Sequence, residues 1–200
     1  MISEQFAYIA IFTSLLGASL YIKDIFFGKT RPNFVSWFMW MLAPFIGAFL
    51  QVKAGAGFVA SLPVFMAGFV PFLVLIGALI KRNAYWEITF FDVACGIFSM
   101  LALFLWILTK NTTLSVIFAI LADGLAVIPT LVKSWHFPET ETGMTYLPGV
   151  INNIIGLLII QNWIFSIYSL YIYFIIANLA IMICIYRKKI INMLHFNYEK

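Results

Sequence analysis

Charged residues are scarce in this chain: they make up 10% of its 200 residues, whereas soluble domains carry about 25%. Cysteine and histidine are also rare, with two of each. Both cysteines, Cys95 and Cys184, fall within apolar stretches, where a thiol ordinarily serves in packing. The shortage of charge is decisive, because too few such side chains remain to cover a water-facing surface. It excludes a separate soluble domain and predicts that the chain lies in lipid.

Recognisable catalytic motifs are missing as well. The sequence contains no phosphate-binding glycine loop, no nucleophile elbow and no paired catalytic constellation. His136, Glu139 and Glu141 fall close together, but their spacing matches no strong metal-ligand motif, so we expect a solvated loop there. The net charge of +4 is small and lies in loops, which argues against nucleic acid as a partner. We therefore expect neither an enzyme nor a bound cofactor.

Long apolar runs dominate what is present, since 64% of the residues are hydrophobic. A bilayer-spanning helix needs about 20 mostly apolar residues. The runs are continuous rather than alternating, which favours helices over a β-barrel. Seven segments qualify, at 6–27, 33–51, 58–80, 87–108, 113–133, 146–163 and 165–187.

Two loops of this chain resemble each other. Residues 29–37 read KTRPNFVSW, and residues 133–146 read KSWHFPETETGMTY. In each, a Lys and then a Pro are followed by a hydroxyl-aromatic pair that opens the next apolar segment. The prolines, Pro32 and Pro138, are 106 residues apart. A repeat of this length in so apolar a chain predicts a duplicated membrane bundle, the usual frame of small-solute transporters.

The placement of lysine and arginine predicts the orientation. With the N-terminus outside, the inner loops hold ten of these residues and the outer loops hold two. This positive-inside bias predicts a multi-pass protein, expected in a bacterial inner membrane, with a cytoplasmic C-terminus and cytoplasmic Pro loops. The first apolar segment is read as a retained helix, because its flank lacks Lys and Arg. Trp37 is expected to anchor at the inner interface.

The predicted fold is an all-α integral membrane protein with seven transmembrane helices in a 3+1+3 arrangement. The first three helices end at Lys81-Arg82 and the last three end at Arg187-Lys188, also 106 residues later. The fourth helix supplies the extra crossing that lets both bundles point the same way. The predicted units are a first bundle at 1–85, a linker helix at 86–110, a second bundle at 111–189 and a cytoplasmic tail at 190–200.

Polar side chains at membrane depth need a reason, because each costs about 2–4 kcal/mol there. Asp123 lies ten residues from either end of the fifth segment, about 15 Å from each surface. It predicts a proton-coupling or cation-binding group; the alternative is a neutral acid that joins helices. Gly149, Asn152 and Asn153 share one helix face. That face either lines a pocket or lets helices pack closely.

Three prolines are predicted to act as hinges or gates: Pro44, Pro129 and Pro148 fall inside apolar segments. Each removes a backbone donor and softens the helix, which suits rocking between two states. Asp92 lies about a turn into the fourth helix, and we expect it to pair with a nearby Lys or Arg.

The topology and the paired Pro loops resemble the PQ-loop and SWEET superfamily, which includes PnuC-type vitamin transporters. The best local match is ADGLAVIPTLVKSWHFPET, residues 122–140, in which Pro129-Thr130 stands where the family has Pro-Gln. The resemblance covers nearly the whole chain in topology, but it rests on short motifs. It implies a substrate site near the midplane, between the two bundles. Trp40 on the second helix, Asn152 or Asn153 on the sixth and Asn178 on the seventh match its lining positions.

The expected function is movement of a small polar solute across the bilayer by alternating access, either facilitated or coupled to protons. The substrate stays open between a sugar, an amino acid and a nucleoside-like vitamin. Trp40 is expected to stack on it, the three asparagines to hydrogen-bond it, and Asp123 to carry a proton or meet a cation. The alternative is a membrane receptor or assembly factor without net flux. Whether the chain forms a homo-oligomer also stays open.

Overall fold

The computed structural model describes residues 6–53, 58–81, 85–109, 111–159 and 163–198. Within these ranges the chain is helical, which confirms the predicted all-α class for the part described. Two short 3₁₀ turns, Pro138–Thr140 and Gly143–Thr145, lie between the fifth and sixth helices. The α-helices are α1 (Phe6–Phe26), α2 (Phe34–Lys53), α3 (Phe58–Ile80), α4 (Phe90–Leu108), α5 (Thr112–His136), α6 (Leu147–Ile159) and α7 (Phe165–Tyr198).

Three helices are long and apolar enough to cross a membrane, judged on the described residues alone. They contain the stretches Phe90–Leu108, Thr113–His136 and Ile167–Ile191. Large apolar side chains cover much of the outer surface; Phe90 is 88% exposed and Ile97 is 62% exposed. Such a surface is unfavourable in water and favourable against lipid. These features suggest a membrane protein.

Local sequence explains where several helices begin and end. Gly28 adopts a φ of 72°, a left-handed conformation that glycine tolerates, and it terminates α1. Asn111 caps α5, because its Oδ1 accepts from the backbone N–H of Leu114 at 3.1 Å. α7 continues without a break to Tyr198, past the end of the predicted apolar segment.

We call α1, α2 and α3 the first trio and α5, α6 and α7 the second trio; they contact each other along two seams. α3 packs against both α1 and α2, and α7 packs against both α5 and α6. α2 contacts α5 along one seam, and α1 contacts α6 along the other. α4 packs against α5 and α2. The chain positions that face each other across the seams are therefore on the first and second helices of each trio.

One end of this bundle, here called the loop end, carries the α1–α2 loop (27–33) and the α5–α6 loop (137–146). Beneath it lies a core cluster in which Tyr21, Ile25, Trp37 and Val74 are buried. The expectation that Trp37 anchors at the membrane interface is wrong. Its ring is 3% exposed and its centroid lies 4.7 Å from that of Tyr21, because the first turn of α2 points into the bundle.

Candidate functional site

The two resembling loops are bonded to each other at the loop end. The backbone N–H of Arg31 donates to the carbonyl of Thr140 at 3.0 Å. The hydroxyls of Thr30 and Thr142 share a hydrogen bond. The Thr142 hydroxyl also lies 2.8 Å from Asp24 Oδ2, at the end of α1. These bonds join the first trio to the second, because one loop belongs to each.

A buried ion pair lies beneath these loops. Lys133 Nζ is 2.6 Å from Glu141 Oε1, and the two side chains are 1% and 0% exposed. Lys133 Nζ also donates to the carbonyls of Arg31 and Thr140. The hydroxyls of Tyr21 and Tyr146 donate to Glu141 Oε2, at 2.8 Å and 3.1 Å. Hydrogen bonding of this kind compensates two charges for the loss of water.

We call Tyr21, Lys133, Glu141 and Tyr146 the loop-end network. Its members come from α1, α5 and the α5–α6 loop, so it joins the two trios. Tyr21 and Tyr146 are buried as well, at 0% and 4% exposed. Replacement of any member by an apolar residue leaves a polar group without its partner in a dry environment, which is costly in free energy. The network therefore joins the two trios at the loop end.

The prediction that Glu141 lies in a solvated loop is wrong. His136 and Glu139 are exposed, as expected, but Glu141 is 7% exposed. The short turns at Pro138–Thr140 and Gly143–Thr145 fold the loop back over the bundle. α5 extends three residues beyond Lys133, so this lysine lies within the helix and reaches Glu141 from there.

Asp92 also forms contacts at the loop end, and no Lys or Arg among the described residues forms an ion pair with it. Its Oδ2 accepts from the backbone N–H and the hydroxyl of Thr89, at 2.7 Å and 2.8 Å, and so completes a capping box at the start of α4. Its Oδ1 accepts from Asn33 Nδ2 at 3.0 Å. The backbone N–H of Trp86 donates to the carbonyl of Pro32. The start of α4 is thus attached to the α1–α2 loop.

Asp123 lies on α5, about 15 Å from Lys133 at 1.5 Å per residue. The hydroxyl of Tyr173 on α7 donates to Asp123 Oδ2 at 2.7 Å. The sequence reasoning missed Tyr173, because an aromatic residue in an aromatic-rich helix carries no signal of its own. The pairing joins two helices of the second trio, as the helix-joining alternative expected, and it leaves Asp123 partly exposed.

Trp40 lies where the trios meet. It packs against the cluster that contains Ala122 and Ala126, and also against the cluster that contains Val127. Ala126 and Val127 follow Asp123 by three and four residues, so they share its helix face. Tyr173 packs against the second of these clusters. The structure therefore brings Trp40, Asp123 and Tyr173 to one region of the α2–α5 seam, which we call the Asp123 site.

Asn152 lies at the other seam. Thr13 Oγ1 donates to Asn152 Oδ1 at 3.1 Å, and Asn152 Nδ2 donates to Ser14 Oγ at 2.9 Å. These bonds attach α6 to α1. The amide is therefore a partner of the first trio and does not belong to the Asp123 site.

Asn153 and Asn178 form bonds within their own helices. Asn153 Nδ2 donates to the carbonyl of Gly149 at 2.6 Å, and Asn178 Nδ2 donates to the carbonyl of Phe174 at 2.8 Å. A Cβ atom built on Gly149 would lie 2.6 Å from Asn178 Oδ1. The absence of a side chain at Gly149 therefore lets α6 and α7 approach closely. Asn152 therefore lies at the contact of α1 with α6, and Asn178 lies at the contact of α6 with α7.

The three predicted hinge prolines differ in position. Pro44 lies inside α2 and Pro129 inside α5. Pro44 has no N–H to donate to the carbonyl of Trp40, four residues earlier. Pro148 is the second residue of α6, where a helix needs no internal donor, so the expectation that it interrupts a helix is wrong. Its ring packs against Gly17 of α1, whose added Cβ would lie 3.0 Å away.

Comparison of the chain with models of protein families, with curated proteins and with solved structures finds no match.

Proposed function

We propose that this chain is a membrane transporter that moves a small polar solute by alternating access between its two helix trios. The observation that carries the proposal is the arrangement of two polar regions at one interface. The loop-end network closes one end of the interface between the trios. The Asp123 site lies about 15 Å further along α5, at the same interface. A closed end beside a partly exposed polar region is what an occluding gate requires.

The packing supports the 3+1+3 arrangement and the PQ-loop and SWEET resemblance as part of this proposal. In each trio the third helix packs against the first and the second. Exchange of the trios converts the α2–α5 seam into the α6–α1 seam, and both seams occur. This is the relationship expected of parallel repeats about an axis along the membrane normal, with α4 as the linker.

The charge distribution supports the loop end as the cytoplasmic end. Several exposed basic side chains lie there, whereas the middle of each described helix has none. Short cytoplasmic loops carry an excess of Lys and Arg. The conformation described would then be closed to the cytoplasm. The exposed basic residues at this end are Lys23, Lys29, Arg31, Lys81, Lys188 and Lys189.

The test is a release assay with a reversible lock on the loop end. Thr30 and Thr142, whose hydroxyls are in contact, are both replaced by cysteine after Cys95 and Cys184 have been changed to alanine. The protein is reconstituted in vesicles loaded with sugars, amino acids, nucleosides and B vitamins. The solutes that escape are identified by mass spectrometry. We expect at least one solute to leave faster than from protein-free vesicles when the pair is reduced, and to be retained when the disulfide forms.

The single variant Thr30→Cys under the same treatments is the matched control, because it cannot form the lock. Release at the protein-free rate in every redox state, from a folded sample, would contradict the proposal. That result would favour the alternative of a receptor or assembly factor without net flux.

A further inference from the structure

Asp123 is the only ionisable acid or base in the middle of the described interface. On α5 the nearest basic residue is Lys133, about 15 Å away and already paired with Glu141. On α7, Arg187 lies about 21 Å along the helix from Tyr173. α2 and α4, which also pack against α5, present no basic side chain at this depth in the residues described. The described residues therefore supply no countercharge for Asp123.

The Asp123 carboxyl group has one oxygen to which no described residue donates a hydrogen bond. Tyr173 donates to Oδ2, while no described residue contacts Oδ1 through a hydrogen bond or an ion pair. As a residue, Asp123 is partly exposed. An ionised carboxylate accepts hydrogen bonds and donates none. A ligand that meets the second oxygen should then bring a donor, and a positive charge on that donor would offset the missing countercharge.

The chemistry around Asp123 fits an organic cation better than a metal ion. Calcium takes six to eight oxygen ligands, and magnesium needs near-octahedral oxygen coordination. The described residues contain no group of three acidic, histidine or cysteine side chains that could hold a metal. Tyr173 donates to Asp123, and Trp40 packs against the cluster that contains Val127, one turn along α5. Rings of this kind attract ammonium groups through their π faces and also contact apolar parts of a ligand.

Trp40 and Tyr173 are placed to provide those rings. Both pack against the cluster that contains Val127, one turn from Asp123. Trp40 is partly buried, and the edge of its ring system meets Trp37 at 5.3 Å between centroids. This contact, with a residue of the same helix, limits the rotation of the indole.

We infer that the solute is an organic ammonium ion, with its positive charge at Asp123 and its apolar part against Trp40 and Tyr173. This inference rests on the proposed transport function and names the substrate class of the same site. It also gives the two aromatic residues separate roles from the carboxylate. Asp123 selects for charge, and the rings select for shape.

The experiment compares each cation with an uncharged analogue of the same shape. Tryptamine is paired with tryptophol, and choline is paired with its uncharged carbon analogue. A wider panel of primary and quaternary amines follows. Binding is measured as the rise in melting temperature of purified protein in detergent. We expect cations to stabilise the wild type, their analogues not to, and Asp123→Asn to weaken cation binding by about tenfold or more.

Further variants separate an effect of the Asp123 charge from an effect of misfolding. Glu139→Gln removes an exposed acid outside the site and should leave cation binding unchanged. Tyr173→Phe removes the hydroxyl but keeps the charge and the ring, so it should weaken binding while preserving the preference for cations. If Asp123→Asn does not fold, Asp123→Glu must still prefer the cation to its analogue, and loss of that preference would overturn the inference.

The outcomes distinguish this inference from the transport proposal. No stabilisation by any amine, or equal stabilisation by the uncharged analogues, would overturn the cation assignment. If the release assay then shows an uncharged solute leaving the vesicles, transport stands and Asp123 serves a neutral substrate or a proton. If that assay shows no release at all, the transport proposal fails as well.

Discussion

Lys133 and Glu141 form an ion pair within the bundle, with Nζ and Oε1 2.6 Å apart and both side chains closed off from solvent. The pair spans eight residues of sequence but fastens one trio of helices to the other, because Lys133 also donates to the carbonyl of Arg31. A buried ion pair of this kind adds little net stability, yet removal of one partner alone is costly in free energy of folding. Its chemistry suits a contact that is either fully made or fully released.

The first prediction concerns the loss of one partner. Lys133→Met should lower the free energy of unfolding by about 3–5 kcal/mol, because Glu141 is left buried without its countercharge. The double variant Lys133→Met, Glu141→Gln should recover part of that loss, since the uncompensated charge is gone. The measurement is reversible unfolding in mixed micelles. Glu139→Gln, an exposed change in the same loop, serves as control. A cost for Lys133→Met no greater than that of the control would show that the pair is not closed as described.

The second prediction concerns the tyrosines on Glu141. Tyr21→Phe and Tyr146→Phe each remove one hydroxyl that donates to Oε2. Hydrogen bonds to charged groups contribute about 1.5–3 kcal/mol, so each variant should be destabilised by that amount. Because both bonds end on the same oxygen, the double variant should differ from the sum of the two single effects. The same unfolding assay measures this coupling, and strict additivity would contradict a shared acceptor.

The third prediction concerns the close contact of α6 and α7. Gly149→Ala should destabilise the protein by about 1–3 kcal/mol, because its new Cβ would lie 2.6 Å from Asn178 Oδ1. Asn178→Ala added to it should remove the clash and restore much of the lost stability. Melting temperature in detergent checks both variants.

Gly124→Ala is the matched control for that pair. It makes the same substitution inside a helix, but its Cβ would meet only the Tyr173 hydroxyl at an ordinary 3.6 Å. It should be neutral or slightly stabilising, because alanine favours helix over glycine by about 1 kcal/mol. Equal losses in Gly149→Ala and Gly124→Ala would rule out the contact with Asn178.

The helices were predictable from the sequence and most of their partners were not. The lengths of the apolar stretches alone predicted most ends of α1 to α7 to within a few residues. The chief exception is α7. Hydropathy predicts that this helix ends near Arg187, but its polar last turns continue it to Tyr198. Helical periodicity also predicted that Asn152 and Gly149 share a face. It could not say that this face meets α1 at Asn152 and α7 at Gly149.

The candidate site was predicted only in part, because the sequence singles out individual residues but not their distant partners. A lone carboxyl at membrane depth is conspicuous, so Asp123 was named, but its partner Tyr173 is 50 residues away and ordinary in composition. Glu141 was misplaced because an acid in a polar loop is usually solvated. Only the fold of that loop over the bundle brings Glu141 to Lys133 and to Tyr21, which lies 120 residues away.

Cysteine accessibility tests most directly whether the loop-end network is a gate in front of the Asp123 site. Gly124→Cys, in protein whose Cys95 and Cys184 are alanine, places a thiol beside Asp123. Membrane vesicles of either orientation are treated with a membrane-impermeant thiol reagent. Opening the gate with Glu141→Ala should raise the labelling rate from the loop-end side by about tenfold or more, and not from the opposite side. An unchanged rate from the loop-end side, in a folded variant, would contradict the account.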